Sequence, residues 1–280
     1  MMLRPMAWAL LALLPLGPLT AQSDSTRKAE RTAAREARQS AREAYRMQKT
    51  RYLVLETAPL HYGVAQDQRM MQSTYRGLGT MVRMGHYSIT PKGVHDVDWL
   101  LTRFSVMFGP ELDALMINSF NEFSYTYLRN VRMLGAWQLR LGGTGSLLGN
   151  LRVAPALANS SINLDVIASA AAAGSLERYF TLLKRETSFS YQLQVPVFSY
   201  VGRRPAYGLS GFGGLASYAA PIGRFTRVVS EAGLTRPLGR SEDNAWRVAY
   251  SWDFYAFREL RIHHLRVANH ALSLALLIRF

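Results

Sequence analysis

The stretch that decides the fold is HALSLALLIRF, His270 to Phe280. Leu272, Leu274, Leu276, Ile278 and Phe280 recur at period two. Ala271, Ser273, Ala275 and Arg279 occupy the alternate positions, with Leu277 the one bulky apolar intruder. Successive side chains of a strand point to opposite faces, so this segment shows one greasy face and one face of small or polar groups. An apolar face that ends on an aromatic carboxylate is the pattern expected of the closing strand of an outer-membrane β-barrel. On that reading Leu274, Leu276, Ile278 and Phe280 form the signal recognised by the barrel assembly machinery.

Working outward, the same period governs everything after Arg51. Ten strands are expected, near 52–62, 72–90, 94–109, 115–130, 133–153, 159–181, 187–200, 225–236, 245–258 and 265–280. Turn chemistry separates them at Pro91-Lys92-Gly93, Gly109-Pro110, Asn130, Ala154-Pro155 and between Pro237 and Asn244. Two strands alternate with particular regularity. Trp246, Val248, Tyr250, Trp252 and Phe254 oppose Arg247, Ala249, Ser251, Asp253 and Tyr255, while Phe189, Tyr191, Leu193, Val195 and Val197 oppose Ser188, Ser190, Gln192, Gln194 and Pro196. Aromatic residues near strand ends fit girdles at a lipid interface better than the core of a sandwich. The fold class expected is all-β, a transmembrane antiparallel up-and-down barrel of about 10 strands. If 206–219 adds a hairpin of its own, the count becomes 12.

Two segments precede the barrel. Residues 1–21 read as a signal peptide, with Arg4 as the positive start and Ala7 to Leu16 as an apolar run too short to span a bilayer. Residues 22–51 form a basic leader rich in Ala and Arg, helical or disordered, whose Ala33, Ala37, Ala41 and Ala44 stripe is too weakly apolar to bury. Residues 24–50 are a candidate contact for a periplasmic protein or cell-wall partner. The barrel proper is 52–280. Both termini are expected in the periplasm, so the turns at 91–93 and Lys184 to Glu186 face inward and the long 201–224 segment faces out.

The 280 residues are 49% apolar with a formal charge of +14 and no cysteine. Mean hydropathy is close to zero, as alternating lipid-facing and lumen-facing positions produce. Absence of thiols removes disulfide frameworks and thiolate metal sites. Nucleic acid, the usual partner of so basic a chain, is not expected beside an export signal and amphipathic strands.

Charge on the inner face is the next signal. Arg83, Arg103, Glu122, Arg140, Asp165, Arg227, Glu231, Arg247 and Asp253 are expected to form a structural ladder that fills a narrow bore, since buried charge is tolerated when paired. Arg203, Arg204, Arg224, Arg258, Arg261, His263, His264 and Arg266 form a basic rim able to bind lipid phosphate through guanidinium contacts. Outer-membrane lipid is therefore an expected partner. His263-His264 lacks a third ligand at metal-binding spacing. In Val94-His95-Asp96-Val97-Asp98 the imidazole and its neighbouring carboxylate fall on opposite faces, which disfavours a His–Asp catalytic pair. No catalytic residue, cofactor or metal site is expected.

The body of the chain resembles a family of Bacteroidota outer-membrane β-barrels with no characterised activity. Leu139 to Arg152 (LRLGGTGSLLGNLR), Ser188 to Val197 (SFSYQLQVPV) and the terminal HALSLALLIRF carry the likeness. The resemblance implies a membrane barrel over most of 52–280, located in the bacterial outer membrane, and supplies no site residues. The function expected is that of a non-enzymatic structural or accessory barrel with a largely plugged lumen. A narrow channel for a small solute or lipid is the alternative, and a barrel lipid hydrolase or protease the third reading.

Overall fold

The computed structural model describes residues 31, 32, 35, 49–68, 73–110, 114–155, 162–203, 216–221, 224–239, 243–259 and 263–280. Contacts divide the chain into Met1–Met47 and Gln48–Phe280. Of the first unit, Arg31, Thr32 and Arg35 are helical and exposed. The expected signal segment and, apart from Lys49, Thr50 and Arg51, the remainder of the expected leader lie outside the described residues.

The second unit consists of eleven strands: β1 (Thr50–Asp67), β2 (Tyr75–Thr90), β3 (Gly93–Phe108), β4 (Leu115–Leu134), β5 (Trp137–Val153), β6 (Ile162–Leu182), β7 (Arg185–Arg203), β8 (Ala216–Pro221), β9 (Phe225–Leu238), β10 (Asn244–Glu259) and β11 (His263–Arg279). Neighbours in sequence pair antiparallel from β1 to β7, and β9, β10 and β11 continue the series. β11 pairs with β1 from Tyr52↔Arg279 to Asp67↔Leu265, which closes the sheet. β8 and β9 both pair with β7, β8 along Phe198 to Arg203 and β9 along Ser188 to Gln194. They lie end to end in one place in the wall. The barrel therefore has ten strand positions, and the twelve-strand alternative is corrected: among the described residues β8 lies in line with β9 and adds no new position.

Closure satisfies the ladder hydrogen bonds that an open edge would leave bare, as a wall in lipid requires. The exterior fits that solvent. Leu272, Leu274 and Leu276 are 51%, 53% and 38% exposed, while Ala271, Ser273 and Ala275 beside them are buried inside. Leu277, the intruder, lines the interior with Ala245 and Ala275, packed by Tyr52 and Val54. An apolar belt this continuous is foreign to the surface of a soluble monomer, and it makes the chain a transmembrane barrel.

Thr50 and Arg279 stand at one end, called here the near end, with tight connections between the strands. Leu182 pairs with Arg185, and Leu183 and Lys184 between them both have positive φ, 51° and 63°. A type I′ hairpin needs that geometry at both central residues and usually recruits Asn-Gly. The preceding hairpin places Gly135 at φ 62°, between Leu134 and Trp137. The sequence pattern put that turn at Asn130. Instead β4 runs on to Leu134, because a bulge between Asn130 and Arg132 absorbs the irregularity and the Asn130 amide donates to Pro91 O at 3.0 Å.

Bulges have a second effect. Register shifts lie between Thr57 and Leu60 in β1 and between Leu100 and Arg103 in β3. One extra residue inverts which parity faces inward. In β1 the inward set changes from Glu56 and Ala58 to His61, Ala65 and Asp67; in β3 it changes from Leu100 to Arg103, Ser105 and Met107.

Candidate functional site in the barrel lumen

Three layers of charge fill the interior, built from the alternation that makes the outside greasy. The layer at the far end joins Arg152, Arg203, Asp67 and Asp165. Arg152 Nη2 donates to Asp67 Oδ2 at 2.9 Å and Asp165 Oδ2 at 2.7 Å. Arg203 donates through Nε to Asp165 Oδ1 at 2.8 Å and through Nη2 to Asp67 Oδ2 at 2.9 Å. Register explains the meeting. Arg203 is directly opposite Asp165 across β6–β7, and Arg152 is diagonal to Asp165 across β5–β6. Asp67 arrives from β1, on the opposite wall. All four side chains are at most 2% exposed. Two guanidiniums and two carboxylates cancel in formal charge, which is the condition for holding ions away from water.

Apolar groups pack round this quartet. Arg203 lies 5.9 Å over the Phe257 ring. The Tyr255 hydroxyl accepts from the Asn150 amide, and its ring meets Phe120 edge-on at 6.1 Å. Met81, Met107, Met116, Leu148, Ile167, Leu265 and Val267 belong to the same buried cluster. His61 Nε2 sits 3.1 Å from Asn269 Oδ1 within the same half.

The middle layer also crosses the bore. Arg227 on β9 grips Glu122 on β4 at 2.6 and 2.7 Å and Asp253 on β10 at 3.0 Å. Arg103 on β3 reaches Asp253 at 2.8 Å. The near layer behaves differently. Glu56, Arg83, Glu231 and Arg247 form a chain with links of 3.2, 3.3 and 2.7 Å; Arg83 on β2 joins Glu56 on the neighbouring β1 and crosses to Glu231 on β9, and the side chains keep more exposure than those of the far quartet. Arg140 and Glu177 pair at 2.5 Å across β5–β6. These pairs leave an open vestibule of about 260 Å³ between them, walled near the mouth by Tyr52, Val54, Tyr87, Ile89 and Leu277. That volume holds several waters or one small molecule.

All nine residues of the expected ladder face the lumen, and the structure brings them together in the three layers. The sequence reading missed Glu56, Asp67, Asp96, Asp98, Arg152, Glu177 and Arg203 as lumen groups. The basic rim needs correction. Arg203 is not a rim residue but 1% exposed in the far quartet, because β7 continues three residues past the strand end expected from its pattern. Arg224 lies 5.2 Å over the Tyr218 ring. Arg258 and Arg266 are exposed on β10 and β11, and His264 N donates to Gln68 Oε1 at 2.9 Å. His263 pairs through its backbone with Glu259. Arg204 and Arg261 lie outside the described residues.

His95 Nδ1 is 2.9 Å from the Tyr125 hydroxyl and His270 Nδ1 is 2.7 Å from the Tyr250 hydroxyl, both on the outer face. Among the described residues no His meets a Ser or Thr hydroxyl, and no three His, Asp or Glu side chains are grouped to hold a metal ion.

Comparison with family models finds no match, and comparison with curated proteins finds none either. Solved structures with similar chain paths include the translocator domain of the autotransporter NalP from Neisseria meningitidis, at 8% identity, TM-score 0.37, covering 88% of this chain and 97% of that one. The Pseudomonas putida toluene transporter TodX matches at 5% identity, TM-score 0.25, over 81% and 89%. Pseudomonas aeruginosa OccK11 matches at 8% identity, TM-score 0.15, over 83% and 96%. Likenesses this distant transfer no activity to the present chain.

Proposed function

We propose that this chain is a non-enzymatic outer-membrane barrel that does not conduct, acting as a structural or accessory component. One observation carries the reading: the quartet of Arg152, Arg203, Asp67 and Asp165 spans the bore, fully buried, inside an apolar collar. An ion crossing that layer would have to displace paired charges out of water, at a cost of several kcal/mol per ion. Conductance of the refolded protein in a planar bilayer tests it. No steady current is expected from wild type, and current that appears in R152A/R203A would identify the quartet as the seal. Steady wild-type conductance would select the second reading, a narrow channel for a small solute, which the open near half favours.

Several assignments go with this reading as proposals. Both termini sit in the periplasm, with the near end of the barrel facing that compartment. The leader 24–50 contacts a periplasmic protein or cell-wall polymer, and its deletion should change the set of co-purifying proteins. The C-terminal strand is the recognition element for barrel assembly. Exposed Arg258 and Arg266 supply phosphate contacts to outer-leaflet lipid. Kinship with the Bacteroidota barrel family rests on the strand patterns quoted above. Lipase and protease assays on the refolded chain should give no activity that depends on His95 or His264.

A further inference from the structure

We infer that the lipid face of β4 to β6 at the near end is a binding site for an anionic phospholipid, its phosphate held by Arg132 and Arg178 and one acyl chain laid along β5 and β6. The arginines of the barrel fall into two populations. Those of the three lumen layers are paired with carboxylates, as Arg140 is with Glu177 across β5–β6. Arg129 and Arg132 on β4 and Arg178 on β6 are exposed, and none of the three forms an ion pair among the described residues. They stand on the opposite face of the wall. Glu177 and Tyr179 line the lumen, so Arg178 between them points outward. Arg129 pairs with Leu141 and Arg132 with Leu139, both on the lipid-facing parity of β5.

Register gathers these guanidiniums round an aromatic platform. Gln138 pairs with Glu177, which brings Trp137 beside Arg178, and the Arg178 guanidinium lies 5.8 Å over the Trp137 ring. Phe189 of β7 meets the same ring edge-on at 5.9 Å. Aromatic girdles mark the boundary between hydrocarbon and headgroups, so the unpaired cations stand at the depth of lipid phosphate. Arg132 pairs with Leu139, and Leu139 with Leu176, two residues from Arg178. Two long guanidinium side chains are thereby placed to share one phosphate.

From this patch toward the bilayer centre the wall has the shape of a trough. The outward positions of β5 and β6 are small there: Gly143 and Gly145 lie beside Ala172 and Ala170. A Cβ added at Gly145 would meet nothing within 4 Å. Larger exposed groups stand on both sides, Tyr125 opposite Gly145 on β4 and Val195 opposite Ala172 on β7. From Gly174 to Ala168 the trough follows about 20 Å of tilted strand, enough for one leaflet of a ~30 Å hydrocarbon core. Small residues alone would suit any apolar neighbour; the three cations at the trough's mouth select one with an anionic head. Guanidinium matches phosphate through paired, charge-assisted hydrogen bonds, and a zwitterionic lipid brings a cation of its own that the arginines repel.

Native mass spectrometry of the full chain, refolded in a neutral detergent with equal amounts of phosphatidylglycerol and phosphatidylcholine, reads the lipid that stays bound. Phosphatidylglycerol should be retained about tenfold or more over phosphatidylcholine. R132Q/R178Q should cut that preference to about twofold or less, whereas R51Q/R236Q, which removes two near-end cations on β1 and β9, should leave it within about twofold of wild type. A170L/A172L keeps every charge and fills the trough, and should lower retention about threefold or more. Should R132Q/R178Q not refold, R178Q alone and A170L/A172L carry the same test. A conducting barrel would present the same face, so the outcome is independent of the sealed lumen. Equal retention of the two lipids, equal effects of the two arginine pairs, unchanged retention in A170L/A172L, or a second copy of the chain in place of lipid would each overturn the proposal.

Discussion

The two halves of the lumen are made from the same chemistry and behave in opposite ways. Both contain arginines facing carboxylates on alternating positions of the strands. In the far half the pairs join opposite walls and exclude water, with side chains at most 2% exposed. In the near half the Arg83–Glu231 pair also crosses the bore, but it stays within reach of water, with Arg83 17% and Arg247 27% exposed. A dry, fully packed crossing set closes the cylinder, whereas a more exposed one leaves a cavity beside it. Packing around each pair, and not its mere presence, separates a plug from a vestibule.

That contrast is open to attack by mutation. R152A should be the most damaging, because it strands Asp67 and Asp165 in a dry layer; a loss of about 3–5 kcal/mol is expected in urea-induced unfolding from lipid vesicles. L274R, placing charge on the lipid face, should cost about 2–4 kcal/mol if Leu274 sits near the bilayer centre, and less toward an interface. R83A is the matched experiment for the near half: water reaches Glu56 and Glu231 there, so about 1 kcal/mol is expected by the same measurement. Equal losses for R152A and R83A would abolish the distinction drawn between the halves. Y255F removes one buried hydroxyl that accepts from Asn150 and should cost about 1–2 kcal/mol. Smallest is a gain. Replacing Leu183-Lys184 by Asn-Gly relieves two positive φ angles at the near end and should add about 0.5–1 kcal/mol without touching either half of the lumen.

The sequence's successes and omissions have physical causes in particular strands. β10 and β11 were legible throughout, since no bulge interrupts their pairing with each other; Arg247 and Asp253 face inward where alternation puts them. Asp96 and Asp98 were hidden by the shift after Leu100. Counting by twos back from Arg103 sends both of them to the lipid side, and the bulge returns them to the lumen. Asp67 and Arg203 escaped for another reason, whereas Arg152 shares the parity of Arg140 within the expected strand 133–153 and was open to the same alternation. Asp67 and Arg203 lie at the far ends of β1 and β7, past the strand ends expected from the pattern, where charged residues in sequence look the same in a strand as in a loop.

By itself, then, the order of residues determined the barrel and, away from the bulges, the lipid-facing side of its strands, because a period of two with an apolar face records the solvent on each side of a wall. Only the tertiary structure decided which charges meet. Arg152 and Asp67 are 85 residues apart in the chain, and no local pattern encodes a contact across a bore. Closure of the cylinder and the bulges that set its register bring them together, seal one half and leave the other open.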